Sequence, residues 1–331
     1  MTKIFSSKYI KWFLKITFVV VLFYFLGKKG FLSLDATKKA LLQWDKSVPA
    51  MAVLFLLTFL GIIRWQWLLY AQDIRLHWKR TIQLHFIGQF FNVALPGAVS
   101  GDFVKAFYIA HEVPGKRSPA FGSILFDRVS GLSALVLVSG FALGLNYFSL
   151  EGTALMSAVR LLLIIATFCV IAFYGYLFLI QEHHDPMLRF FRYLESKFSR
   201  AGSLTRIYMG LRHYHFYRFA VFKVIALSIL IHITVCWVFL SFAYALGDFH
   251  IERYTVFIIV PIGLLVTAIP VMPAGIGTGH IAFAALFSLL NSNRGADIFS
   301  LFVLTQLFIS AIGGIVYLKF RAHEPKPTFE K

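Results

Sequence analysis

The sequence has few charged residues and only two cysteines. Of its 331 residues, 14% are charged, whereas 59% are hydrophobic and 17% are aromatic. This apolar share lies well above that of soluble domains. Cys169 and Cys236 lie in separate apolar runs without a CxxC spacing, so neither a disulfide framework nor a thiolate metal site is predicted. The sequence also lacks GxSxG, HExxH, Walker and Rossmann motifs, and we predict no catalytic residue, metal or cofactor.

Acidic residues are scarce as well. The sequence has 15 Asp and Glu against 32 Lys and Arg, which gives a formal net charge of +17. In a soluble protein this excess would indicate nucleic-acid binding. Here the basic residues lie between apolar runs, where they set orientation and meet anionic headgroups. We therefore predict an integral membrane protein whose partners are anionic membrane lipids and not nucleic acid.

Apolar runs long enough for a helix to cross the hydrocarbon layer recur along the chain. Hydropathy predicts an all-α membrane protein with one polytopic domain, 1–331, and about six full transmembrane helices. The predicted spans lie near 9–27, 48–70, 119–146, 154–180, 219–246 and 297–319. We interpret the first as an uncleaved helix and not as a signal peptide, because GKKG follows it in place of a small-residue cleavage site.

Two further apolar stretches, 81–110 and 254–290, are interrupted by proline and glycine in LPGAVSG and IPVMPAGIGTG. Non-helical backbone is tolerated at membrane depth only where protein or a water-filled cavity surrounds it. We interpret both stretches as broken, re-entrant helical hairpins.

Basic residues in short loops predict the orientation of the chain. The arginine-rich segment 182–218 is placed in the cytoplasm together with both termini, and its mixture of arginine and aromatic residues is typical of amphipathic helices on an anionic leaflet. When the loops are assigned to the two sides of the membrane by their basic residues, the two hairpins enter the membrane from opposite faces. The segments 48–146 and 219–319 are therefore predicted to be halves of an inverted-topology repeat. The five lysines of the loop 27–47 contradict the rule, because the loop is placed outside.

The first break, in NVALPGAVSGDFVKA, brings charge to the tip of a hairpin. Pro96 removes a backbone donor, and Gly97 and Gly101 permit torsions closed to other residues. A half-helix that starts near Gly101 would present free N–H groups to a phosphate, and Lys105 would add a positive charge. The alternative is a structural kink that Asp102 caps, with Lys105 snorkelling.

The motif FDRVSGL places Asp127 and Arg128 inside a membrane helix, where ionisable residues are costly unless they are paired. Adjacent residues of a helix do not face each other, so each of the two needs an outside partner. We expect Lys105 to pair with Asp127 and Asp102 to pair with Arg128. Such a network is either a binding site or a structural clamp.

Two more ionisable residues have two interpretations each. Arg64, in GIIRWQWLL, either snorkels beside Trp65 and Trp67 in the interfacial belt or faces a lipid headgroup. His280, at the end of the second break, is either a packed membrane histidine or a counterpart of Asp102.

These motifs, in this order, resemble the lysylphosphatidylglycerol synthase transmembrane-region family, a flippase-like membrane domain. The resemblance covers nearly the whole chain and rests on Arg64-Trp65, Leu68-Leu69, Asn92 to Lys105, Asp127-Arg128, Gly131-Leu132 and Pro273 to Gly279. The sequence departs from the family pattern at Ser100, Lys105 and His280, where Gly, Arg and an acidic residue are common. The predicted substrate-binding residues are Arg64, Asn92, Pro96, Gly97, Gly101, Asp102, Lys105, Asp127, Arg128, Pro273, Gly275, Gly277 and His280.

The resemblance implies a bacterial or archaeal inner-membrane protein that moves a phosphate-bearing, anionic or aminoacylated lipid between leaflets. The family is best established where this domain is fused to a soluble aminoacyl transferase, and this chain ends at RAHEPKPTFEK, so lysyl transfer is not expected. One alternative is a membrane-embedded enzyme acting on a lipid-linked phosphate, with Asp102 or His280 as acid or base. The other is a non-transporting accessory subunit that recruits a soluble partner through its basic segment 182–218. A second copy of the chain is a further candidate partner.

Overall fold

A computed structural model describes residues 38–40, 42–95, 100–145, 154–198, 202–269 and 275–323. Every regular element in these ranges is helical, which confirms the all-α fold class. The α-helices are α1 (Trp44–Ala71), α2 (Trp78–Ala94), α3 (Ser100–Glu112), α4 (Arg117–Leu145), α5 (Ala154–Leu179), α6 (Pro186–Lys197), α7 (Gly202–Arg212), α8 (Arg218–Ala245), α9 (Arg253–Thr267), α10 (Thr278–Ser288) and α11 (Gly295–His323).

Five helical segments of the described chain are long and apolar enough to cross a membrane. They are Trp44–Ala71, Pro114–Leu145, Met156–Leu179, Gly202–Ala245 and Gly295–Phe320. Five of the predicted spans are therefore confirmed by length and composition, and the span near 9–27 lies outside the described residues. Leu161, Phe168 and Ile171 of α5 are exposed, as expected of apolar side chains that face lipid tails. The protein is a multi-pass membrane protein.

Each interrupted stretch folds into two short helices that pack against each other, α2 against α3 and α9 against α10. Leu95 leaves α2 in an extended conformation. In the second hairpin Gly275 and Gly277 have positive φ angles of 67° and 88°, which a residue with a side chain adopts only at a cost. The predicted site residues Pro96, Gly97 and Pro273 lie outside the described residues.

The two hairpins open toward opposite ends of the bundle. At one end, called end A here, Arg80 at the start of α2 forms an ion pair with Glu112 at the end of α3, and its guanidinium lies over the ring of Phe320 near the end of α11. At the other end, called end B, Ser292 after α10 donates a hydrogen bond to Asp248 after α8. The assignment of end A to the cytoplasm stays a prediction.

Helix packing follows the same pattern in the two halves. α1 packs on α8, while α2 packs on α11 and α9 correspondingly packs on α4. Exchanging α1–α4 with α8–α11 leaves the set of packed pairs among them unchanged. A two-fold-related repeat produces this pattern. The inverted repeat itself, with its halves at 48–146 and 219–319, stays a prediction.

Gly101 lets the two helices of the first hairpin approach closely. A Cβ atom on Gly101 would overlap the carbonyl oxygen of Gly88 and lie 2.8 Å from Cγ of Asn92. The N–H of Gly101 donates to Oδ1 of Asn92 at 2.9 Å. The expectation that this N–H is free to bind a phosphate is therefore wrong, because an internal acceptor already satisfies it.

Asp185 joins three helices at end A. Its side chain is fully buried, accepts hydrogen bonds from the hydroxyls of Tyr176 and Tyr208, and contacts Nε of Arg212 at 2.9 Å. It also caps α6 by accepting from the N–H of Leu188 at 3.0 Å. Burial alone would raise the pKa of this carboxyl, but the hydrogen bonds and the Arg212 charge hold the pKa below its usual value.

We expect Gly101→Ala to lower the unfolding temperature, because the added methyl group forces α2 away from α3 and overpacking costs about 1–3 kcal/mol. Gly144→Ala is a matched control, since a Cβ atom at that helical glycine meets nothing within 4 Å. Thermal unfolding of the purified proteins measures both. Equal unfolding temperatures for the two variants would contradict the close packing of the hairpin.

We expect Asp185→Asn to lower the unfolding temperature at neutral pH. A carboxyl whose pKa is lower in the folded chain stabilises the fold fully above its unfolded pKa of about 4, and this stabilisation is lost as the pH falls through the folded value. The difference between wild type and variant should therefore narrow in acid. Asp73→Asn, at an exposed position, should change little at any pH. A difference that is independent of pH would rule out a charged role for Asp185.

Candidate functional site

A cavity of about 420 Å³ lies between α1, α2, α3, α4, α8, α9 and α11. Its volume falls in the range of small-molecule and cofactor sites, about 300–1,000 Å³. The structure brings six of the predicted site residues to its wall: Arg64, Asn92, Asp102, Lys105, Asp127 and Arg128. The cavity thus joins residues from α1, both helices of the first hairpin and α4.

The most deeply buried ion pair of the cavity joins Arg64 and Asp127. Nε of Arg64 lies 2.8 Å from Oδ1 of Asp127, and the two side chains are 13% and 12% exposed. Nη1 of Arg64 also donates to Oγ of Ser228 at 3.0 Å. The expected pairing of Asp127 with Lys105 is wrong, because the Arg64 guanidinium occupies that position.

Arg64 also does not snorkel toward the interface. Its neighbour Trp65 is fully buried, and the indole Nε1 donates to Oγ of Ser123 at 3.2 Å. Both side chains therefore turn into the protein, so the interfacial-belt interpretation of Trp65 is wrong too. Arg64 links α1 to α4 and α8.

The predicted pairing of Asp102 with Arg128 is confirmed. Nε of Arg128 donates to Oδ2 of Asp102, and so ties α3 to α4. The Arg128 side chain is 40% exposed, compared with 19% for Asp102. The charged wall of the cavity therefore reaches the molecular surface at Arg128.

Lys105 is the most unusual residue of the wall. It is only 4% exposed, and its Nζ lies 3.5 Å from the centroid of the Trp65 ring. A desolvated cation–π contact of this kind is worth about 2 kcal/mol. Within the described part of the chain, no acceptor forms a hydrogen bond with its ammonium group. A buried cation thus faces the cavity, and the N–H donors of its ammonium group can bind a ligand.

The other predicted site residues that the structure describes do not line the cavity. His280 is buried, its Nδ1 accepts from the N–H of Gly277 at 3.3 Å, and its Nε2 forms a hydrogen bond with Oγ of Ser300 at 3.1 Å. His280 therefore fixes the start of α10 in place, as the packed-histidine interpretation predicted. Gly275 and Gly277, with their positive φ angles, lie in the turn before it, and Gly101 packs against Gly88 of α2.

Sequence reasoning missed several polar residues of the wall. His85, Gln89 and the predicted Asn92 line the cavity from α2. Their spacing of four and three residues puts them on one face of a helix, which is the signal that could have found them. The other missed polar residues come from α1, α8, α9 and α11 and are Thr58, His232, Thr267 and Gln306.

The described fold and cavity define a multi-pass helical membrane protein with a buried charged site between its helices. The family model of the lysylphosphatidylglycerol synthase TM region matches residues 12–316, and the chain belongs to this family. It is also similar to the UPF0104 membrane protein PH1989 of Pyrococcus horikoshii, with 26% identity over 347 aligned residues that cover 95% of this chain and 98% of that protein. No solved structure matches the chain. The family supports a role related to membrane lipids.

We expect Arg64→Ala to destabilise the protein by about 3–5 kcal/mol, because it leaves the Asp127 carboxylate buried without its partner. Adding Asp127→Asn should recover part of this loss, since no unpaired charge then remains. Arg192→Ala is the matched control: its pair with Glu182 is 57% and 58% exposed, and such pairs contribute about 0–1 kcal/mol. Thermal unfolding measures all three. A double variant less stable than Arg64→Ala would contradict the charge argument.

Proposed function

We propose that this protein moves a phosphate-bearing anionic lipid between the leaflets of the cytoplasmic membrane, with the headgroup passing through the charged cavity. The observation that carries the proposal is the Lys105 ammonium group, which is buried, faces the cavity and retains donors for a ligand. A phosphate oxygen is a strong acceptor for such a group.

The charge balance of the cavity supports an anionic ligand. Its described lining residues include three basic side chains, Arg64, Lys105 and Arg128, but only two acidic ones, Asp102 and Asp127. The wall therefore carries one excess positive formal charge, which is costly in a medium of low dielectric constant. A phosphodiester headgroup carries one negative charge and would neutralise it.

The position of the cavity suits a headgroup whose tails stay in lipid. Arg128 brings the charged wall to the surface, and beside it the exposed side chain of Leu132 also lines the cavity. A phosphate could thus first contact Arg128 and then advance toward Lys105. The two hairpins, which open toward opposite ends, would act as gates for the two sides of the membrane.

The test measures leaflet exchange of headgroup-labelled lipids in proteoliposomes. Phosphatidylglycerol should exchange faster than phosphatidylcholine, because the choline ammonium would face Arg64, Lys105 and Arg128. Lysyl-phosphatidylglycerol tests whether the site also accepts an aminoacyl group. Losing a charge-assisted hydrogen bond costs about 1.5–3 kcal/mol, so Lys105→Met should slow exchange about tenfold or more.

Lys105→Arg keeps the charge and should retain most of the exchange. Lys46→Met, which removes a half-buried lysine at end B outside the lining of the cavity, is the matched control and should leave exchange unchanged. Mass spectrometry of the same lipids identifies an enzyme, since catalysis changes the mass of a lipid while translocation changes only its leaflet. A folded wild-type protein that exchanges no lipid, with or without a proton gradient, would overturn the proposal.

A further inference from the structure

A second surface with its own chemistry lies at end A, away from the cavity. It consists of α6 and α7, which pack on each other as a short hairpin, and α7 also packs on the start of α4. There the backbone of Gly210 lies close to Gly122, and its carbonyl accepts from Nε2 of Gln72 at 2.7 Å. The α6–α7 hairpin is therefore fixed to the membrane-spanning helices.

One face of α6 exposes a row of large apolar side chains. Leu188 is buried on the inner face, whereas Met187, Phe190 and Tyr193 are 45%, 52% and 55% exposed. Their spacing of three residues places them side by side along the helix. A contiguous apolar row is costly in water and usually marks a protein or membrane contact.

Basic residues flank this row. Arg189 and Arg192 lie along one side of it, and Lys197 lies at the end of α6; all three are exposed. Two carboxylates that are not buried lie nearby, Glu195 on α6 and Glu182 just before α6. Glu182 contacts Arg192 at 3.4 Å. The surface therefore has an excess of positive charge beside its aromatic row.

Large apolar side chains are also exposed on the two spans that precede and follow this hairpin in the chain. Leu179 at the end of α5 is 79% exposed, and Phe219 and Phe222 at the start of α8 are 69% and 67% exposed. Nζ of Lys223 lies 4.4 Å from the ring centroid of Phe219, an arrangement typical of the boundary between hydrocarbon and headgroups.

Asp185 holds the α6–α7 hairpin in this position. Its contacts with Tyr176, Tyr208 and Arg212 join the end of α5 to both short helices. The arginine that neutralises this carboxylate, Arg212, is thus internal. The exposed Arg192 and Arg189 have only solvent-exposed contacts, with Glu182 at 3.4 Å and with the carbonyl of His183 at 3.3 Å, and such contacts contribute about 0–1 kcal/mol.

We propose that the α6–α7 hairpin is a docking surface for an anionic lipid leaflet. The side chains of Met187, Phe190 and Tyr193 insert between the tops of the acyl chains, while Arg189, Arg192 and Lys197 contact lipid phosphates. The charge complementarity, and the exposed apolar side chains at the adjoining ends of α5 and α8, favour a leaflet over a soluble protein. This inference is independent of the cavity and of its proposed function.

The test uses the full-length protein in nanodiscs that hold one copy each. Cys169→Ser and Cys236→Ala remove the native thiols, and a spin label is placed either at Tyr193→Cys in the apolar row or at Ser196→Cys on the polar side of α6. Collision of the label with a water-soluble nickel chelate reports its exposure to water. Phosphatidylglycerol mixed with phosphatidylcholine is compared with phosphatidylcholine alone.

In the anionic discs we expect the label at position 193 to collide with nickel several-fold less often than in neutral discs, while the label at position 196 stays exposed in both. Replacing Arg189, Arg192 and Lys197 together by Gln should abolish the difference between the two lipid mixtures. The matched control replaces three other exposed basic residues at end A by Gln: Arg75, Lys79 and Arg117. It should leave the difference unchanged.

If the label at position 193 is shielded from nickel equally in both lipid mixtures, the role of anionic lipid is wrong. If it is equally exposed to water in both, the surface does not contact the leaflet, a soluble partner becomes the better interpretation, and the whole inference is overturned. An effect of the control triple variant as large as that of the α6 triple variant would also overturn it. Unfolding temperatures of both triple variants, measured in the same discs, separate a lost lipid contact from a lost fold. Leaflet exchange is not measured here, so failure of this inference and failure of the proposed translocation remain distinguishable.

Discussion

A charged side chain inside a membrane protein needs a partner of opposite charge. Arg64 and Asp127 neutralise each other in this way, and their contacts join three helices, α1, α4 and α8. Desolvating each group alone would cost several kcal/mol, so neither residue is tolerated without the other. Together with the bond from Arg64 to Ser228, the pair fixes how α1, α4 and α8 face one another. The cavity opens beside this contact, and the remaining charged residues are arranged around it.

The two halves of the bundle share a packing pattern but differ in chemistry. Among the described residues of the cavity wall, the five charged ones lie on α1, α3 and α4, whereas α9 and α11 contribute neutral residues such as Thr267 and Gln306. In each hairpin a glycine lets the two helices approach closely, Gly101 against Gly88 in the first and Gly263 against Phe283 in the second. This packing does not depend on the charged side chains, so these can be concentrated in one half without altering the arrangement of the helices.

The same physical rule acts at end A with a different result. Asp185 is buried and neutralised by Arg212 and two tyrosines, just as Asp127 is neutralised by Arg64. At Asp185 the contacts hold a surface hairpin in place, whereas at Asp127 they leave a neighbouring cation, Lys105, facing open space. A buried carboxylate therefore identifies a constrained position, and the groups around it decide whether that position is a structural joint or a binding site.

The sequence by itself determined the membrane class, five of the spans, the two broken hairpins and the pairing of Asp102 with Arg128, because hydropathy, helix-breaking residues and the cost of unpaired charge are local properties. Only the tertiary structure decided that Arg64 and not Lys105 neutralises Asp127, that His280 packs away from the cavity, and that His85 and Gln89 line it. These outcomes depend on how the helices rotate against each other, and residues far apart in the chain set that rotation.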